Sequence, residues 1–544
     1  MARLYMLQIV EHDSFIDQAD KQYSYTTENL FTRGTIFFKN KDGSLVSAAT
    51  LQSGFVVAVN PKILKDPENV YQKLNEILPT DYDSFISKAT KPNDPYEEID
   101  QHIDSETGQK INDLKITGLQ AYKERWRFYP GGNIASHTIG ILGYKGDEYA
   151  GRYGLERQYE TELERKDGTY TNFFAQIFSG IKNAATGAKD EADVITTIEP
   201  TVESYLETVL ASTTEKWDSD TTGGIIMNPM TGEIYAMEVN PTFNPNHPEL
   251  EKNSSIFSNP LVENRYEMGS VIKPLTIASG IDAGVITAKT TYYDKGYVMI
   301  SGKKVSNFDS KERGMVNMQD VLSQSLNVGA AYVESLLGNK RFSDYFYSFG
   351  IGEKTGIDLP NEGRNLTDNL KSNVDVDLAT AAFGQGIALT PISAIRALSA
   401  VANGGFLVTP HVVKTLDYKI GISKDTPIVS GARVIKPETS GEVSRMMVYS
   451  VDNVLSGGTL KIPNYSVAAK TGTAQIAKPG GGGYYDDQFL HSFVGFFPAY
   501  NPKFIIFLYT INPKGAQFGS ETLTHPFMDL VNFLINYYEV PPDR

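Results

Sequence analysis

Two residues of one short segment have the types and the spacing of a nucleophile and its base. Ser270 and Lys273 lie in the sequence Met268-Gly269-Ser270-Val271-Ile272-Lys273-Pro274. Residues three apart share one face of a helix, so a helix that begins near Ser270 would bring the Lys273 amine over the Ser270 hydroxyl. The amine can accept the hydroxyl proton if burial or a neighbouring cation lowers its pKa. The S-x-x-K spacing alone is weak evidence, because a helix-capping serine followed by a surface lysine gives the same pattern.

Two further motifs follow in the order that this chemistry needs. Ser325-Leu326-Asn327 fits S-x-N, and Lys470-Thr471-Gly472-Thr473 fits K-T-G. Together with S-x-x-K they resemble the motif set of class A β-lactamases and penicillin-binding proteins, in which a serine is acylated. Ser323 lies two residues before Ser325 and is a competing candidate for the serine of the second motif.

Composition narrows the possible functions. The chain has 544 residues, of which 41% are hydrophobic and 21% are charged, as expected for two or three globular domains. A net charge of -15 argues against a nucleic-acid partner. There is no cysteine, and the seven histidines show no ligand spacing, so we expect no metal and no cofactor. No apolar run of about 18 residues is present, and residues 1–10 carry no signal-peptide core.

Periodicity and turn residues predict the elements that must position the three motifs. A shift in composition and periodicity near Asp193 predicts a domain boundary there. S-x-N would lie in the first turns of a helix over Val321–Leu337, and K-T-G would lie on an exposed edge strand over Val467–Ala474. In chain order we predict a helix over Thr201–Trp217, a hairpin over Gly224–Met237, a helix over Val321–Leu337, a strand over Val467–Ala474, buried strands over Ser492–Phe497 and Phe504–Tyr509, and a closing helix over Phe527–Tyr538.

The chain as a whole resembles the class B, monofunctional penicillin-binding proteins, which are peptidoglycan D,D-transpeptidases. The similarity extends along nearly the whole sequence. Beyond the three motifs it rests on Arg33-Gly34-Thr35-Ile36, Asp42-Gly43, Arg127 with Tyr129-Pro130, Gly154-Leu155-Glu156, Gly350 with Gly352, Thr355 to Pro360, Gly384-Gln385-Gly386, Thr390-Pro391 and Ser492-Phe493-Val494-Gly495. Ala474-Gln475-Ile476 and the compact N-terminal region are more similar to the cell-division type than to the elongation type.

This resemblance implies a multidomain α+β fold. An elongated N-terminal pedestal domain for dimerisation or partner binding would occupy residues 1–192. The penicillin-binding transpeptidase domain would occupy residues 193–544, with a central antiparallel sheet flanked by helices as in serine β-lactamases. Residues 3–8 are similar to the segment that follows the single membrane anchor of such proteins. The resemblance therefore implies a site at the extracytoplasmic face of the bacterial membrane and an N-terminal anchor that has been removed.

The resemblance also implies a role for each motif residue. Ser270 attacks the carbonyl between two D-alanines, and Lys273 accepts its proton. The other roles are proton relay by Ser325, placement of Lys273 and the substrate amide by Asn327, positive charge from Lys470, substrate binding by Thr471, Gly472 and Thr473, and an oxyanion hole from the backbone N–H groups of Ser270 and Thr473.

The implied partners are peptidoglycan stem peptides, as a D-Ala-D-Ala donor and an amine acceptor, together with β-lactam antibiotics. A membrane glycan polymerase and other division proteins are implied as well. Two alternatives remain open from the residues. A D,D-carboxypeptidase or β-lactamase shares the motifs, and a β-lactamase needs a carboxylate such as Glu362 to activate water. A penicillin-sensing domain would be acylated without turnover.

Overall fold

The computed structural model describes residues 31–145, 148–164, 191–480 and 482–544, and these form two compact units. Residues 49–130 make up most of the smaller unit, while segments 36–48 and 131–160 belong to the larger unit. Residue 192 opens the last and longest segment of the larger unit. The functional division at residues 192 and 193 stays a prediction. Residues 3–8, on which the anchor expectation rests, lie outside the described part.

Strands and helices occur in both units. The strands are β1 (Ile36–Lys39), β2 (Leu45–Val59), β3 (Glu97–Ile103), β4 (Leu119–Phe128), β5 (Leu142–Lys145), β6 (Glu148–Gly151), β7 (Ala192–Thr196), β8 (Thr221–Met227), β9 (Ile234–Asn240), β10 (Thr291–Asp294), β11 (Tyr297–Ile300), β12 (Lys303–Ser306), β13 (Gly314–Asn317), β14 (Phe406–Val408), β15 (Val413–Tyr418), β16 (Ile422–Asp425), β17 (Ser430–Arg433), β18 (Ala468–Ala477), β19 (Tyr484–Phe497) and β20 (Phe504–Ile511). The helices are α1 (Pro67–Asn75), α2 (Tyr82–Ala89), α3 (Ser105–Asp113), α4 (Ser136–Ile139), α5 (Gly154–Gln158), α6 (Glu160–Leu163), α7 (Pro200–Trp217), α8 (Pro260–Glu263), α9 (Lys273–Asp282), α10 (Met318–Ser323), α11 (Asn327–Leu337), α12 (Asn339–Ser348), α13 (Asp375–Ala381), α14 (Pro391–Ala402), α15 (Pro437–Asn453) and α16 (Gly519–Tyr537).

The smaller unit is built on the part of β2 that follows residue 48. This part pairs in antiparallel fashion with β3 and with β4. Helices α1, α2 and α3 begin directly after Asp66, Asp81 and Asp104, whose carboxylates accept backbone N–H groups of the first turn. Phe85 of α2 and Val57 of β2 lie in the buried core between these helices and the strands.

The larger unit contains a five-stranded antiparallel sheet in the order β18-β19-β20-β8-β9. Helices α7 and α16 pack against each other and against this sheet. Phe493, Phe527 and Leu508 lie in the buried core between them. Strand β20 is buried along nearly its whole length, and its sequence is accordingly an almost continuous run of apolar residues. The K-T-G strand β18 lies at the sheet edge, as the sequence predicts, but the predicted exposure of that edge is wrong because Lys470 and Gly472 are buried.

A helical layer lies on the other side of the nucleophile segment. Helix α9, which follows Ser270, packs against α11, α14 and α15. The turn that carries Ser270 contacts β18 directly. The site is therefore assembled where the helical layer meets the edge strand. A second sheet of the same unit has the order β16-β15-β7-β1, followed by the first residues of β2.

Two predicted helices differ from the structure. The single helix predicted over Val321–Leu337 is wrong, because the chain forms two helices, α10 and α11, with Ser325 between them at a φ of 59°. The predicted closing helix begins eight residues too late. Helix α16 starts at Gly519 and continues through Pro526, which forgoes one backbone hydrogen bond. Within the described part of the chain, no helix has both the length and the apolar character needed to cross a bilayer.

Candidate active site

The nucleophile segment is a short 3₁₀ turn rather than the start of an α-helix. The turn covers Gly269–Ile272, and α9 begins at Lys273 with Pro274 in its first turn, where the missing N–H has no intrahelical partner. Ser270 lines a cavity of about 950 Å³, whereas the Lys273 side chain is fully buried beneath it. A helix therefore does begin near Ser270, but its first turn is 3₁₀ and its α-helical part starts three residues later, at Lys273.

Close backbone contacts fix the position of this turn. Gly269 has a φ of 62° and donates its N–H to Gly384 O at 3.1 Å. A Cβ added at Gly384 would lie 2.2 Å from Gly269 O, so only glycine fits there. On the opposite side, Ser492 Oγ donates to Met268 O at 2.8 Å, and a Cβ at Gly472 would lie 2.2 Å from Ser492 Oγ. The nucleophile turn is thus held from two sides by segments distant in sequence.

Ser325 is the point at which the two lysines meet. Lys273 Nζ donates to Ser325 O at 2.5 Å and to Ser325 Oγ at 3.1 Å. Lys470 Nζ donates to the same Oγ at 2.9 Å and to Thr471 O at 2.8 Å. The left-handed backbone of Ser325 turns both its carbonyl and its hydroxyl towards Lys273. A strained backbone of this kind persists only where the surroundings impose it, and it is common at functional sites.

Burial of both amines weakens their hold on a proton. Burial lowers the pKa of Lys273 well below its usual range, and the positive charge of Lys470 lowers it further. Burial also lowers the pKa of Lys470 to about 7. The side chains of Lys273 and Lys470 are 0% and 4% exposed, so little water is present to screen one charge from the other. A neutral Lys273 beside a more readily charged Lys470 is the arrangement that general-base chemistry needs.

The other predicted residues lie around the same cavity. Asn327, Thr471, Gly472 and Thr473 all line it together with Ser270 and Ser325. Asn327 is the first residue of α11, and its side-chain N–H donates to Ser306 O at 3.0 Å. No hydrogen bond between Asn327 and Lys273, nor between Ser270 and Lys273, is present among the described residues. Lys273 contacts Ser325 instead, so the direct base role of Lys273 and the placing role of Asn327 stay predictions.

The Ser323 hydroxyl forms hydrogen bonds with residues other than the two lysines. It accepts from Gln319 Nε2 at 2.9 Å and lies 2.9 Å from Ser450 Oγ. Both partners belong to packed helices, α10 and α15. The geometry therefore favours Ser325 over Ser323 as the serine of the second motif.

Helix α16 supplies contacts that the sequence did not indicate. The Gly519 N–H donates to Thr473 Oγ1 at 2.9 Å. Since the oxygen of Thr473 already accepts this bond, the hydroxyl proton is directed elsewhere and is available to a ligand. His491 lies directly across from Thr473 on β19, is fully buried, and has Nδ1 3.0 Å from Thr522 Oγ1 of α16. Burial lowers the pKa of His491 to about 4, so this contact involves a neutral ring.

Two further features concern the predicted binding groups. Gln385, which follows the buried turn glycine Gly384, lines the cavity. The backbones of Gly269 and Thr473 are adjacent, because a Cβ at Gly269 would lie 2.7 Å from Thr473 O. The oxyanion hole formed by Ser270 and Thr473 stays a prediction that this proximity supports. Within the described ranges, no three His, Asp or Glu side chains come together as a metal site.

Comparisons with known proteins match both parts of the chain. The family model for the penicillin binding protein transpeptidase domain matches residues 222–530, and the model for the penicillin-binding protein dimerisation domain matches residues 31–175. Stage V sporulation protein D of Bacillus subtilis is 31% identical over 531 residues, which are 95% of this chain and 80% of that protein. The peptidoglycan D,D-transpeptidase FtsI of Buchnera aphidicola is 25% identical over 551 residues, which are 100% of this chain and 93% of that protein.

Solved structures share the fold. Penicillin binding protein 3 from Mycobacterium tuberculosis, complexed with aztreonam, superposes with a TM-score of 0.72 at 21% identity over 95% of this chain and 98% of that one. Penicillin binding protein 2X from Streptococcus thermophilus superposes with a TM-score of 0.74 at 21% identity over 92% of this chain and 80% of that one. These likenesses confirm the predicted two-domain α+β architecture.

We expect Gly384→Ala to be much more destabilising than Gly404→Ala. Both glycines have a φ of 82°, but a Cβ at Gly404 meets nothing within 4 Å, whereas one at Gly384 meets a backbone oxygen. The left-handed backbone alone costs about 1–2 kcal/mol, and a clash with backbone adds about 1–3 kcal/mol. Urea denaturation of both variants measures the difference. Equal losses of unfolding free energy would show that the Gly384 contact with the nucleophile turn does not constrain it.

Proposed function

Because the chain belongs to the family of penicillin-binding protein transpeptidases, we propose that it is a serine D,D-transpeptidase that cross-links peptidoglycan stem peptides through an acyl-enzyme on Ser270. The observation that carries this proposal is the meeting of two buried lysine amines at Ser325 Oγ, beside the cavity that Ser270 lines. This arrangement supplies a nucleophile, a neutral base, a hydroxyl relay and a cation in one place.

The first half-reaction is acylation. Ser270 Oγ attacks the carbonyl carbon between the two D-alanines, and its proton passes to the neutral Lys273 amine. The backbone N–H groups of Ser270 and Thr473 stabilise the oxyanion, and each such donor contributes about 3–4 kcal/mol in comparable enzymes. The proton then passes through the Ser325 hydroxyl to the leaving nitrogen. The peptide C–N bond breaks, D-alanine departs, and an ester on Ser270 remains.

The second half-reaction is amine transfer. The amine of a neighbouring stem peptide attacks the ester carbonyl and loses a proton to Lys273 through Ser325. The ester C–O bond then breaks, Ser270 Oγ takes that proton back from Lys273, and the new amide bond remains. A β-lactam enters the first half-reaction in place of the peptide. Its leaving nitrogen stays tethered in the opened ring, so it blocks the approach of the amine and Ser270 stays acylated.

Recognition of the terminal carboxylate falls to the K-T-G strand. Lys470 provides positive charge beneath the cavity, and the Thr471 and Thr473 side chains reach the cavity wall on either side of Gly472. The bond from Gly519 N–H to Thr473 Oγ1 leaves the Thr473 proton free for a carboxylate oxygen. A charge-assisted hydrogen bond of this kind is stronger than a neutral one.

Glu362, the carboxylate that a β-lactamase could use to activate water, is not placed for that role. Glu362 does not line the cavity, and its oxygens accept the backbone N–H groups of Thr355 and Gly356, so it holds a turn. Glu521 lines the cavity, but one of its oxygens accepts the N–H groups of Gln517 and Phe518 at the start of α16. These contacts support transpeptidation over β-lactam hydrolysis.

The same relatives support a proposal for the biological setting. We place the enzyme at the extracytoplasmic face of the bacterial membrane, in septal wall synthesis, in keeping with a relative named FtsI and with a sporulation protein among the matches. Its proposed protein partners are a membrane glycan polymerase and other division proteins. Residues 31–175, which match a dimerisation domain, are the proposed contact region.

Ser270→Ala should abolish labelling by a fluorescent penicillin, because no other serine of the cavity combines the motif spacing with the two lysines. The wild-type chain should gain one label per molecule in intact mass spectra, with the adduct mapping to Ser270. Ser323→Ala is the matched control and should label normally. Label on Ser323, or rapid multi-turnover hydrolysis of nitrocefin by the wild type, would contradict the assignment.

The rate of acylation by penicillin should follow a bell-shaped pH profile. Lys273 must be neutral, so the rate rises with pH through its lowered pKa. Lys470 must be charged to attract the carboxylate, so the rate falls as pH rises through the Lys470 pKa of about 7. The second-order rate constant, which reports the free enzyme, is the quantity to measure. A penicillin ester without the carboxylate should lose the alkaline limb, and a rate that still rises above pH 8.5 would contradict the role of Lys470.

Thr473→Val should slow acylation by penicillin about ten- to a hundredfold, since a hydrogen bond to a charged group contributes about 1.5–3 kcal/mol. A penicillin ester should be affected far less. The variant also leaves the buried Gly519 N–H unpaired, so Thr473→Ser, which keeps the hydroxyl, is the control for that loss. Equal slowing of acid and ester would mean that Thr473 supports the strand instead of recognising the carboxylate.

A further inference from the structure

Residues 291–317 form a two-stranded β-ribbon beside the cavity, which we call the lysine ribbon. β10 pairs with β13, and β11 pairs with β12, so the chain runs out to a tip at Ser301-Gly302 and returns. On the return path, Ser306, Phe308 and Arg313 line the cavity. The surface of the ribbon is therefore continuous with the wall of the site.

The base of the ribbon is bonded to the start of α11. Asn327 Nδ2 donates to Ser306 O at 3.0 Å, and the Val328 N–H donates to Asn307 Oδ1 at 3.1 Å. Asn307 in turn donates to the buried carboxylate of Asp294 at 2.8 and 3.1 Å. The S-x-N motif and the ribbon are thus joined by a continuous set of buried or half-buried hydrogen bonds.

The outer part of the ribbon is basic, although the chain is acidic. The ribbon contains five basic and three acidic residues, whereas the whole chain has a net charge of -15. All three acids are engaged, because Asp294 holds the base, Asp309 pairs with Arg313, and Glu312 accepts from Tyr293. Four lysines are exposed and form no ion pair with any described residue: Lys295, Lys303, Lys304 and Lys311.

Flat and apolar side chains lie among these lysines. Tyr297 and Met299 are 44% and 57% exposed on β11, and Tyr293 and Met315 face each other across β10 and β13 at 52% and 64% exposed. Lys304 Nζ lies 4.6 Å from the centre of the Tyr297 ring. The ribbon thus offers both positive charge and exposed apolar area, which is uncommon on a purely solvated hairpin.

We propose that the lysine ribbon binds the anionic glycopeptide strand whose stem peptide enters the cavity. This inference rests on the proposed function. Carboxylates along the stem peptides complement the free lysines, and the C–H faces of the sugar rings suit the exposed tyrosine and methionine side chains. Continuity with the cavity through Phe308 and Arg313 favours this occupant over a separate protein or a lipid surface. Attachment at a second point raises the effective concentration of the peptide at Ser270.

The test compares two triple variants that carry the same change of charge. Lys295→Gln, Lys303→Gln and Lys304→Gln remove charge from the ribbon. Lys354→Gln, Lys371→Gln and Lys424→Gln remove the same charge from exposed positions that do not line the cavity. Binding of a soluble, fluorescently labelled, uncross-linked glycan–peptide fragment is followed by anisotropy at low and at moderate salt. Ser270→Ala is present in all three proteins, so that no acyl transfer occurs.

We expect the ribbon variant to bind the fragment about tenfold more weakly than the parent at low salt, with a smaller salt dependence, because exposed ion pairs are individually weak and screened. The control variant should bind within about twofold of the parent. With Ser270 restored, all three proteins should be acylated by penicillin at rates within about twofold, since penicillin is too small to reach the outer ribbon.

Three results would overturn the proposal. They are equal affinities of the ribbon and control variants, no binding of the fragment by the parent, and ribbon-dependent binding to vesicles of anionic phospholipid in place of the fragment. Failure of the proposed function is visible separately, as absence of penicillin labelling in the parent with Ser270 present, and the proposal then falls with it. Melting temperatures of the triple variants serve to show that each is folded.

Discussion

Two amines that share one hydroxyl form the constraint around which the larger unit is arranged. Removing two like charges from water is costly, so a pair of buried lysines is tolerated only when at least one of them gives up its proton. Ser325 makes this possible by accepting from both Lys273 and Lys470. Two of the three residues come from the helical layer, at the start of α9 and at the break between α10 and α11, and the third comes from the edge strand β18. The reactivity of the site is therefore a property of how these layers pack.

The packing depends in turn on places where two backbones touch. Gly384 lies against Gly269, and Gly472 lies against the Ser492 side chain that holds Met268. A Cβ at either glycine would meet an atom only 2.2 Å away, so the nucleophile turn would have to move. A misplacement of about 1 Å is enough to slow acyl transfer greatly. The turn glycines thus hold Ser270 in the position where the two buried lysines can act on it.

The sequence was sufficient for those parts of the site that local patterns encode. Ser270 and Ser325 line one cavity, Lys470 donates to Ser325 Oγ, and β18 is an edge strand, so the structure brings the three motifs together while the roles of their residues stay predictions. The sequence failed where tertiary contacts override local preference. The stretch Val321–Leu337 is mostly apolar and contains no proline, so the pattern predicts one helix, yet Ser325 has a left-handed backbone between two shorter helices. Both the carbonyl and the hydroxyl of Ser325 accept from Lys273 in that conformation. The Gly519 contact with Thr473 joins segments 46 positions apart, and no local pattern announces it.

The place of α16 in the site bears on when the protein first becomes reactive. The strand that carries K-T-G pairs with β19, β19 pairs with β20, and β20 pairs with β8. Strand β8 therefore cannot pair with β20 until nearly 300 further residues have been synthesised. Helix α16 then closes the sheet and supplies the N–H that orients Thr473. A chain emerging from the ribosome or from a membrane pore cannot complete this set of contacts until α16 has appeared. Before that point, the segments that carry Ser270 and K-T-G already exist, but the contact that orients the Thr473 hydroxyl does not.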